Sequence, residues 1–331
     1  MAIKTDGSLW AWGYNETGQL GDGRSEECIF FYWKDYDFSD DGPVKIMEDV
    51  DAVSVNGHYT LAVMTDGSLW SWGENAQGQL GIGSHGGKRT NSDPYDHEQD
   101  PFDVDIDSDI PVKIMDDVVA VSAGLDFAMA IKTDGSLWAW GENCNGQLGN
   151  GKHGGDPYSY DVGTDSDIPV KIMDDVASIS TADRYCFAIK NDGTLWSWGE
   201  NENGQIGTGN EGGNSFFNEG VDSDIPIQIL SEVSTVISCV NHKVFAIRTD
   251  GSLWGWGAEK SYRPSWPMFS DTGIPEKLIE DVAFVSSYEF YIKNDGSLWS
   301  WSCDTNNSND RLDFPVEIKL PTPLDMSFYR T

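Results

Sequence analysis

One pattern constrains this chain more than any other feature, because it returns six times: AIKTDGSLWAWG from Ala2, AVMTDGSLWSWG from Ala62, AIKTDGSLWAWG from Ala130, AIKNDGTLWSWG from Ala188, AIRTDGSLWGWG from Ala246 and YIKNDGSLWSWS from Tyr291. Recurrence on that scale excludes coincidence and marks a repeat architecture. Each copy reads as an apolar strand, an Asp-Gly turn and a second strand with two tryptophans. Asp6-Gly7 and its equivalents are the dipeptides that supply the positive φ angles of a two-residue type I′ hairpin turn.

A second pattern precedes the hairpins, I-P-V-K-I-M-D-D-V-x-x-V-S at Pro111 and Pro169, with versions at Pro43, Pro226 and Pro275. Its alternating apolar residues read as two further strands, with the proline at the first strand position, where it removes no ladder hydrogen bond. Four strands per repeat make an antiparallel meander, and stacking such units buries faces that no single unit can bury. The turn aspartates recur at spacings of 60, 68, 58, 58 and 45 residues, too short to hide another blade. The expected fold is therefore all-β, a six-bladed β-propeller of four-stranded antiparallel blades forming a single domain over residues 1–331. The chain begins on a hairpin and ends on PVEIKLPTPLDMSFYRT, which is similar to the pattern preceding the hairpins. Residues 1–23 and 314–331 are expected to share one blade, closing the ring and removing its edge strands.

Charge narrows the partners. The chain has 55 acidic and 21 basic residues, a formal charge of −34. Such a field repels phosphate backbones and anionic membranes and attracts basic protein surfaces or cations, while also being what a soluble, self-repelling surface looks like. Direct nucleic-acid binding and membrane insertion are not expected, and no apolar run of membrane-spanning length is present. Cys28, Cys144, Cys186, Cys239 and Cys303 form an odd set without a C-x-x-C pair, which points to free thiols. No signal peptide follows Met1, so the expected compartment is cytoplasmic, or extracellular if a leader lies upstream.

After four hairpins stands G-x-N-x-x-G-Q-[LI]-G-x-G, first as Gly13, Asn15, Gly18, Gln19, Leu20, Gly21 and Gly23. No Gly-Lys-Ser/Thr follows, so these glycines read as turn formers and not as a phosphate loop. Together with the D-G-x-L-x-x-W-G core, this run resembles the regulator of chromosome condensation repeat family in its bacterial Trp-rich form. The resemblance covers essentially the whole chain apart from the inserts. It implies a propeller that binds proteins through its faces, since family members include a nucleotide exchange factor, a plant ultraviolet receptor and a bacterial β-lactamase inhibitor. Family propellers usually have seven blades, and the histidine frequent before the third strand is replaced here by Tyr59, Phe127, Tyr185 and Val244. The photoreceptor places Arg beside interfacial Trp, whereas the tryptophans of these hairpins show no adjacent Arg in sequence.

Irregular sequence collects in inserts at 24–42, 84–110, 152–168, 210–225 and 258–274. In an up-and-down blade these connections and the loop joining the second and third strands emerge on one face, and long loops of this kind are often functional. Twelve of the fourteen tryptophans lie in hairpins and read as blade core. Two stand in inserts: Trp33 with Phe30, Phe31, Tyr32 and Tyr36, and Trp266 with Phe269. Clusters of this kind form partner-binding hot spots or fold back over a blade. Aspartates crowd the same segments: Asp103, Asp105, Asp107 and Asp109, then Asp165 and Asp167, then Asp222 and Asp224. The first four are the candidate calcium ligands, although the glycine and terminal Glu of an EF-hand are absent, and a solvated acidic rim is the other account. Two inserts share H-G-G followed by D-P-Y, at His85 and His153, without the second histidine that a transition-metal site needs. His58 and His242 have no identifiable Ser or Cys partner.

The resulting expectation is a non-catalytic interaction propeller that needs no cofactor, save calcium if the aspartates bind it. It engages a protein partner with basic surface through an acidic, aromatic, insert-bearing face. A carbohydrate or cell-surface recognition module, calcium-assisted, is the alternative.

Overall fold

The computed structural model describes residues 1–24, 42–84, 107–153, 164–209, 222–239, 242–257, 273–287, 290–300 and 315–318. The chain divides into two compact units, Met1–Arg184 and Tyr185–Thr331. Every regular element described is a strand, and the strands form six antiparallel sheets in chain order. The first holds β1 (Ala2–Ile3), β2 (Leu9–Ala11) and β3 (Val44–Met47). The second holds β4 (Val50–Asn56), β5 (Tyr59–Met64), β6 (Leu69–Gly73) and β7 (Ser108–Met115). The third holds β8 (Val118–Ala123), β9 (Phe127–Lys132), β10 (Leu137–Gly141) and β11 (Ser166–Met173). The fourth has β12 (Val176–Thr181), β13 (Tyr185–Lys190), β14 (Leu195–Gly199) and β15 (Ser223–Leu230). The fifth has β16 (Val233–Ser238), β17 (Val244–Arg248), β18 (Leu253–Trp256) and β19 (Glu276–Ile279). The sixth has β20 (Val282–Val285), β21 (Phe290–Lys293), β22 (Leu298–Ser300) and β23 (Val316–Ile318).

All six hairpins form, but the blades are phased differently from the sequence expectation. The P-V-K-I-M strand closes the preceding sheet instead of opening its own: Trp10 of β2 pairs with Lys45 of β3, and Trp70 of β6 with Lys113 of β7. The reason lies in the next turn, where Asp49, Asp117, Asp175, Glu232 and Asp281 all adopt positive φ and pass the chain on to a new sheet. There the hairpin glycine of one sheet receives the first strand of the next, as Val50 N–H donates to Gly7 C=O and Val118 N–H to Gly67 C=O, both at 2.9 Å. By the same phasing Val316–Ile318 is the last strand of the sixth sheet, paired with β22. The first sheet has three strands among the described residues, and residues 319–331, on which a shared closing blade depends, lie outside them.

Three further expectations are corrected. The Asp-Gly turn is a three-residue loop: Gly7 N–H bonds Lys4 C=O, Lys4 N–H bonds Ser8 C=O, and Gly7 has φ 80° whereas Asp6 is not in the left-handed region. That is a type I turn ending in a left-handed glycine, which suits the strand twist as well as a type I′ turn does. Three inserts also end earlier than read, since β7, β11 and β15 begin at Ser108, Ser166 and Ser223. Accordingly Pro111 and Pro169 sit inside an outer strand and not at its start. They are tolerated at the register shift between Ser71 and Gly73 and its counterpart between Ala139 and Gly141, where no ladder N–H is required.

The core is built, in the second to fifth sheets, from the second strand of the sheet and the second tryptophan of its hairpin. Leu61, Phe127, Phe187, Phe245, Trp72, Trp140, Trp198 and Trp256 are fully buried. The expectation that all hairpin tryptophans are core is too broad. Trp10, Trp70, Trp138, Trp196, Trp254 and Trp299 are half-buried, and Trp12, which no described glycine turn covers, is 47% exposed. The first tryptophan of each hairpin is held by its turn: Asp6 Oδ1 accepts from Ser8 Oγ at 2.6 Å, and Ser8 Oγ accepts from Trp10 Nε1 at 2.9 Å. The same relay recurs through Ser68, Ser136, Thr194, Ser252 and Ser297.

Candidate functional site

The Gly-x-Asn-x-x-Gly-Gln run is a latch with two jobs. It first joins neighbouring sheets. Trp72 Nε1 donates to Gln19 C=O at 3.0 Å, Trp140 to Gln79 at 2.9 Å and Trp256 to Gln205 at 2.9 Å. A Cβ on Gly21 would stand 2.5 Å from Trp72 Nε1, so only glycine lets the indole approach. Each glutamine side chain is fixed by its own loop, as Gln79 Oε1 accepts from Gln77 N–H at 2.8 Å and Gln147 Oε1 from Asn145 N–H at 2.9 Å.

The second job is to close the stems of the inserts. Asn75 Nδ2 donates to Ser84 C=O, where the second insert leaves, at 2.8 Å, and its N–H donates to Asp107 Oδ1, where that insert returns, at 2.7 Å. Asn143 repeats both contacts with Lys152 C=O at 2.7 Å and Asp165 Oδ1 at 2.8 Å, and Asn201 N–H reaches Asp222 Oδ1 at 2.9 Å. The inserts therefore start and finish on the side of the sheets that carries the β4–β5 and β8–β9 turns, as expected from up-and-down topology.

Within Met1–Arg184 those turns bring a compact polar group together. His58, Asp126 and Arg184 occupy equivalent positions before the second strand of successive sheets. His58 C=O accepts from Glu74 N–H and Thr17 Oγ1, each at 2.9 Å, and the Tyr14 ring meets the His58 ring edge-on at 6.3 Å. Burial pushes the Asp126 carboxyl above the ordinary carboxylate range, against the pull of Arg184 and His58. Its Oδ1 lies 3.5 Å from Gln79 Nε2. Glu142, only 9% exposed, is likewise raised by burial, with Arg184 Nε 3.6 Å from Oε2 and Gln147 Nε2 at 3.1 Å. Burial beside Glu142 pushes the Cys144 thiol up to about 12, which leaves no thiolate nucleophile there at neutral pH.

The expected site residues distribute unevenly. Phe30, Phe31, Tyr32, Trp33, Tyr36, Trp266, Phe269, Asp103 and Asp105 lie outside the described residues. Asp107 is a stem clamp, and Asp109 is in β7, its C=O accepting from Gly23 N–H at 2.9 Å. Among the described residues no group of three or more His, Cys, Asp and Glu is placed to hold a metal ion, and no helix is long and apolar enough to cross a membrane. Cys144, Cys186 and Cys239 are free thiols, as expected. One class of contact went unread: Lys4, Lys132, Lys190 and Lys293 stand 3.6, 5.5, 5.1 and 5.0 Å from the ring centres of Trp10, Trp138, Trp196 and Trp299. In the fifth repeat the cation is Arg248, 4.3 Å above Trp254, which corrects the view that these tryptophans lack arginine. The signal was the residue two before each turn aspartate, which faces the tryptophan across the hairpin.

Four-stranded antiparallel sheets in series, latched by a buried tryptophan to the glycine turn of the preceding repeat, define a propeller-blade repeat protein. The chain belongs to the regulator of chromosome condensation (RCC1) repeat family, whose repeat matches residues 6–63, 66–131, 134–189 and 192–246, and in a second form 50–79, 118–147 and 176–205. It is similar to the RCC1 domain-containing protein RUG3 of Arabidopsis thaliana, mitochondrial, at 26% identity over 83% of this chain and 54% of that one. It is 25% identical to the ultraviolet-B receptor UVR8 of Arabidopsis thaliana over 82% of this chain and 51% of that one. It is also 31% identical to the human E3 ubiquitin-protein ligase HERC2, over 61% of this chain and 4% of that one. The chain thus spans about half of the first two relatives and a small part of the third. Among solved structures, Prp20p from Saccharomyces cerevisiae superposes with a TM-score of 0.63 at 18% identity, covering 96% of this chain and 74% of that one. Human WBSCR16 gives 0.58 at 21% identity, covering 84% and 64%.

Proposed function

We propose that this chain is a non-catalytic protein-binding module whose insert-bearing side, acidic and aromatic, engages a partner with basic surface. The observation that carries this is the closed stem: Asn75 with Asp107 and Asn143 with Asp165 anchor long inserts beside Asp126 and Glu142. Insert aromatics supply desolvated anchors, and the carboxylates steer a basic patch toward them. Relatives support a binding role, since Prp20p has binding properties to Gsp1p and histones.

The test is crosslinking of the tagged full chain in extracts of its native cells, with captured proteins quantified by mass spectrometry. Wild type is compared with W33A/W266A and with D126N/E142Q. Loss of the same captured proteins in both variants, and their release by salt, is the expected result. Equal capture by all three chains overturns the proposal.

A further inference from the structure

A second candidate site lies in Tyr185–Thr331, on the hairpin-turn side of the fifth and sixth sheets and away from the inserts. A groove of about 440 Å³ opens there, within the size range of small-molecule sites. Its polar walls come from Ser234, Arg248, Thr249, Asp250 and Asn294, and its apolar floor includes Ile247. The main-chain frame is fixed and its donors are used: Val282 N–H bonds Gly251 C=O at 2.9 Å, Asn294 N–H bonds Asp281 C=O at 2.8 Å and Thr249 N–H bonds Glu232 C=O at 2.7 Å. Recognition in the groove therefore falls to side chains.

Arg248 is the unusual group. Its guanidinium stacks on Trp254, whose indole N–H is tied to Ser252 Oγ at 3.0 Å, so the platform beneath it cannot rotate freely. Its Nε is shut off from solvent and has no hydrogen-bond partner. An unsatisfied buried donor of this kind carries a desolvation cost that an acceptor would relieve. Lysine stands at this place in four of the other repeats and methionine in one; only here is the cation a planar fork of N–H donors that matches a carboxylate edge-on. Two features argue against a bare polyanion: Asp250 lines the same groove, and the chain has a net charge of −34. Asp250 Oδ1 is used by Ser252 N–H and Oγ at 2.8 and 2.6 Å, which leaves the second carboxylate oxygen to accept from hydroxyl groups. Thr249 and the Asn294 carboxamide add neutral polar contacts. A single negative charge on an otherwise neutral, hydroxyl-rich ligand suits the guanidinium of Arg248 together with the neutral and acceptor groups around it.

We infer that this groove binds a carboxylate-bearing saccharide of the uronic-acid class, with the carboxylate on Arg248 and ring hydroxyls on Asp250, Thr249 and Asn294. Full-length protein is titrated with sodium glucuronate, glucose, acetate and inorganic phosphate in separate arms, following the Arg248 Nε–H resonance by NMR and heat by calorimetry. Glucuronate is expected to shift that resonance saturably, and both glucose and acetate to bind at least about tenfold more weakly, because each keeps half of the contacts. Arg248→Lys keeps a cation over Trp254 and so preserves the fold, which its unfolding midpoint checks; it should weaken glucuronate about tenfold or more through loss of the paired N–H contacts. Asn294→Ala should weaken it several-fold. Phosphate or acetate binding as tightly as glucuronate, full affinity in Arg248→Lys, or no saturable shift with any ligand would each overturn the assignment.

Discussion

Trp72 and Gln19 belong to different sheets, yet the indole N–H of one ends on the main-chain carbonyl of the other at 3.0 Å, in a fully buried place. Thr60 Oγ1 reaches the same carbonyl at 2.9 Å. Replacing Trp72 with Phe removes one of the two donors and part of the packing, and should cost about 2 kcal/mol in urea unfolding. Gly21→Ala should cost more, about 3 kcal/mol, because it combines a left-handed φ of 79° with a Cβ placed against that indole. A cost below that of an ordinary surface substitution would show that the latch does not stabilise the array.

The second repeat supplies a gain-of-stability test. Met64 stands where Lys4, Lys132 and Lys190 stand over their tryptophans. Met64→Lys places an ammonium over half-buried Trp70 and should stabilise the protein by about 0.5 kcal/mol, read as a raised urea midpoint that shrinks when Trp70 is also changed to Leu.

Acid response separates the two kinds of carboxylate. Hydrogen bonds from Ser68 hold Asp66 below its ordinary value of 3.8, as Ser8, Ser136, Thr194, Ser252 and Ser297 do for their turn aspartates. A lowered folded-state pKa means stability that is present above 3.8 and lost as pH falls through the folded value. Ser68→Ala should therefore narrow the stability difference between pH 5 and pH 2.

Asp126 and Glu142 carry the opposite sign. Burial raises both, so their contribution is present below their ordinary values of 3.8 and 4.5 and is lost as pH rises through the folded values. Asp126→Asn should gain on wild type as pH climbs from 3 to neutrality, and a gap independent of pH in thermal melts would show that the carboxyl is not desolvated.

The first sheet has three described strands where the other five have four. The sequence expectation completes it with residues 314–331; because Val316–Ile318 belongs to the sixth sheet, that role falls to residues after 318, and on that expectation deleting residues 321–331 should lower the melting temperature by several degrees and raise aggregation through an open strand edge. An unchanged melt and a monodisperse product would refute the shared blade.

Much of the fold was legible because the Asp-Gly-Ser-x-Trp spacing fixes a hairpin locally. Six hairpins, their antiparallel pairing and the side that bears the inserts follow from that and from the continuous apolar runs Leu61–Val63 and Phe127–Ile131, which are buried at every position. The phasing of the blades was not legible. Pro111 looked like a strand opening, and only the left-handed Asp117 shows that the sheet ends there. Stem closure was hidden as well: Asn75 and Asp107 lie 32 residues apart, and nothing local says that a turn asparagine receives a distant carboxylate. The cations over tryptophan were in view in five of the six repeats but needed the cross-strand register to become contacts.

The stem clamps have one more consequence. Asn143 grips both ends of its insert, at Lys152 and at Thr164 and Asp165, so the blade does not register what is threaded between them. Length and composition can change there without disturbing a sheet, and a segment moved from one stem to another should fit at its base. The repeat thus behaves as a row of identical sockets, in which the invariant part of the chain is the holder and the variable part is what it displays.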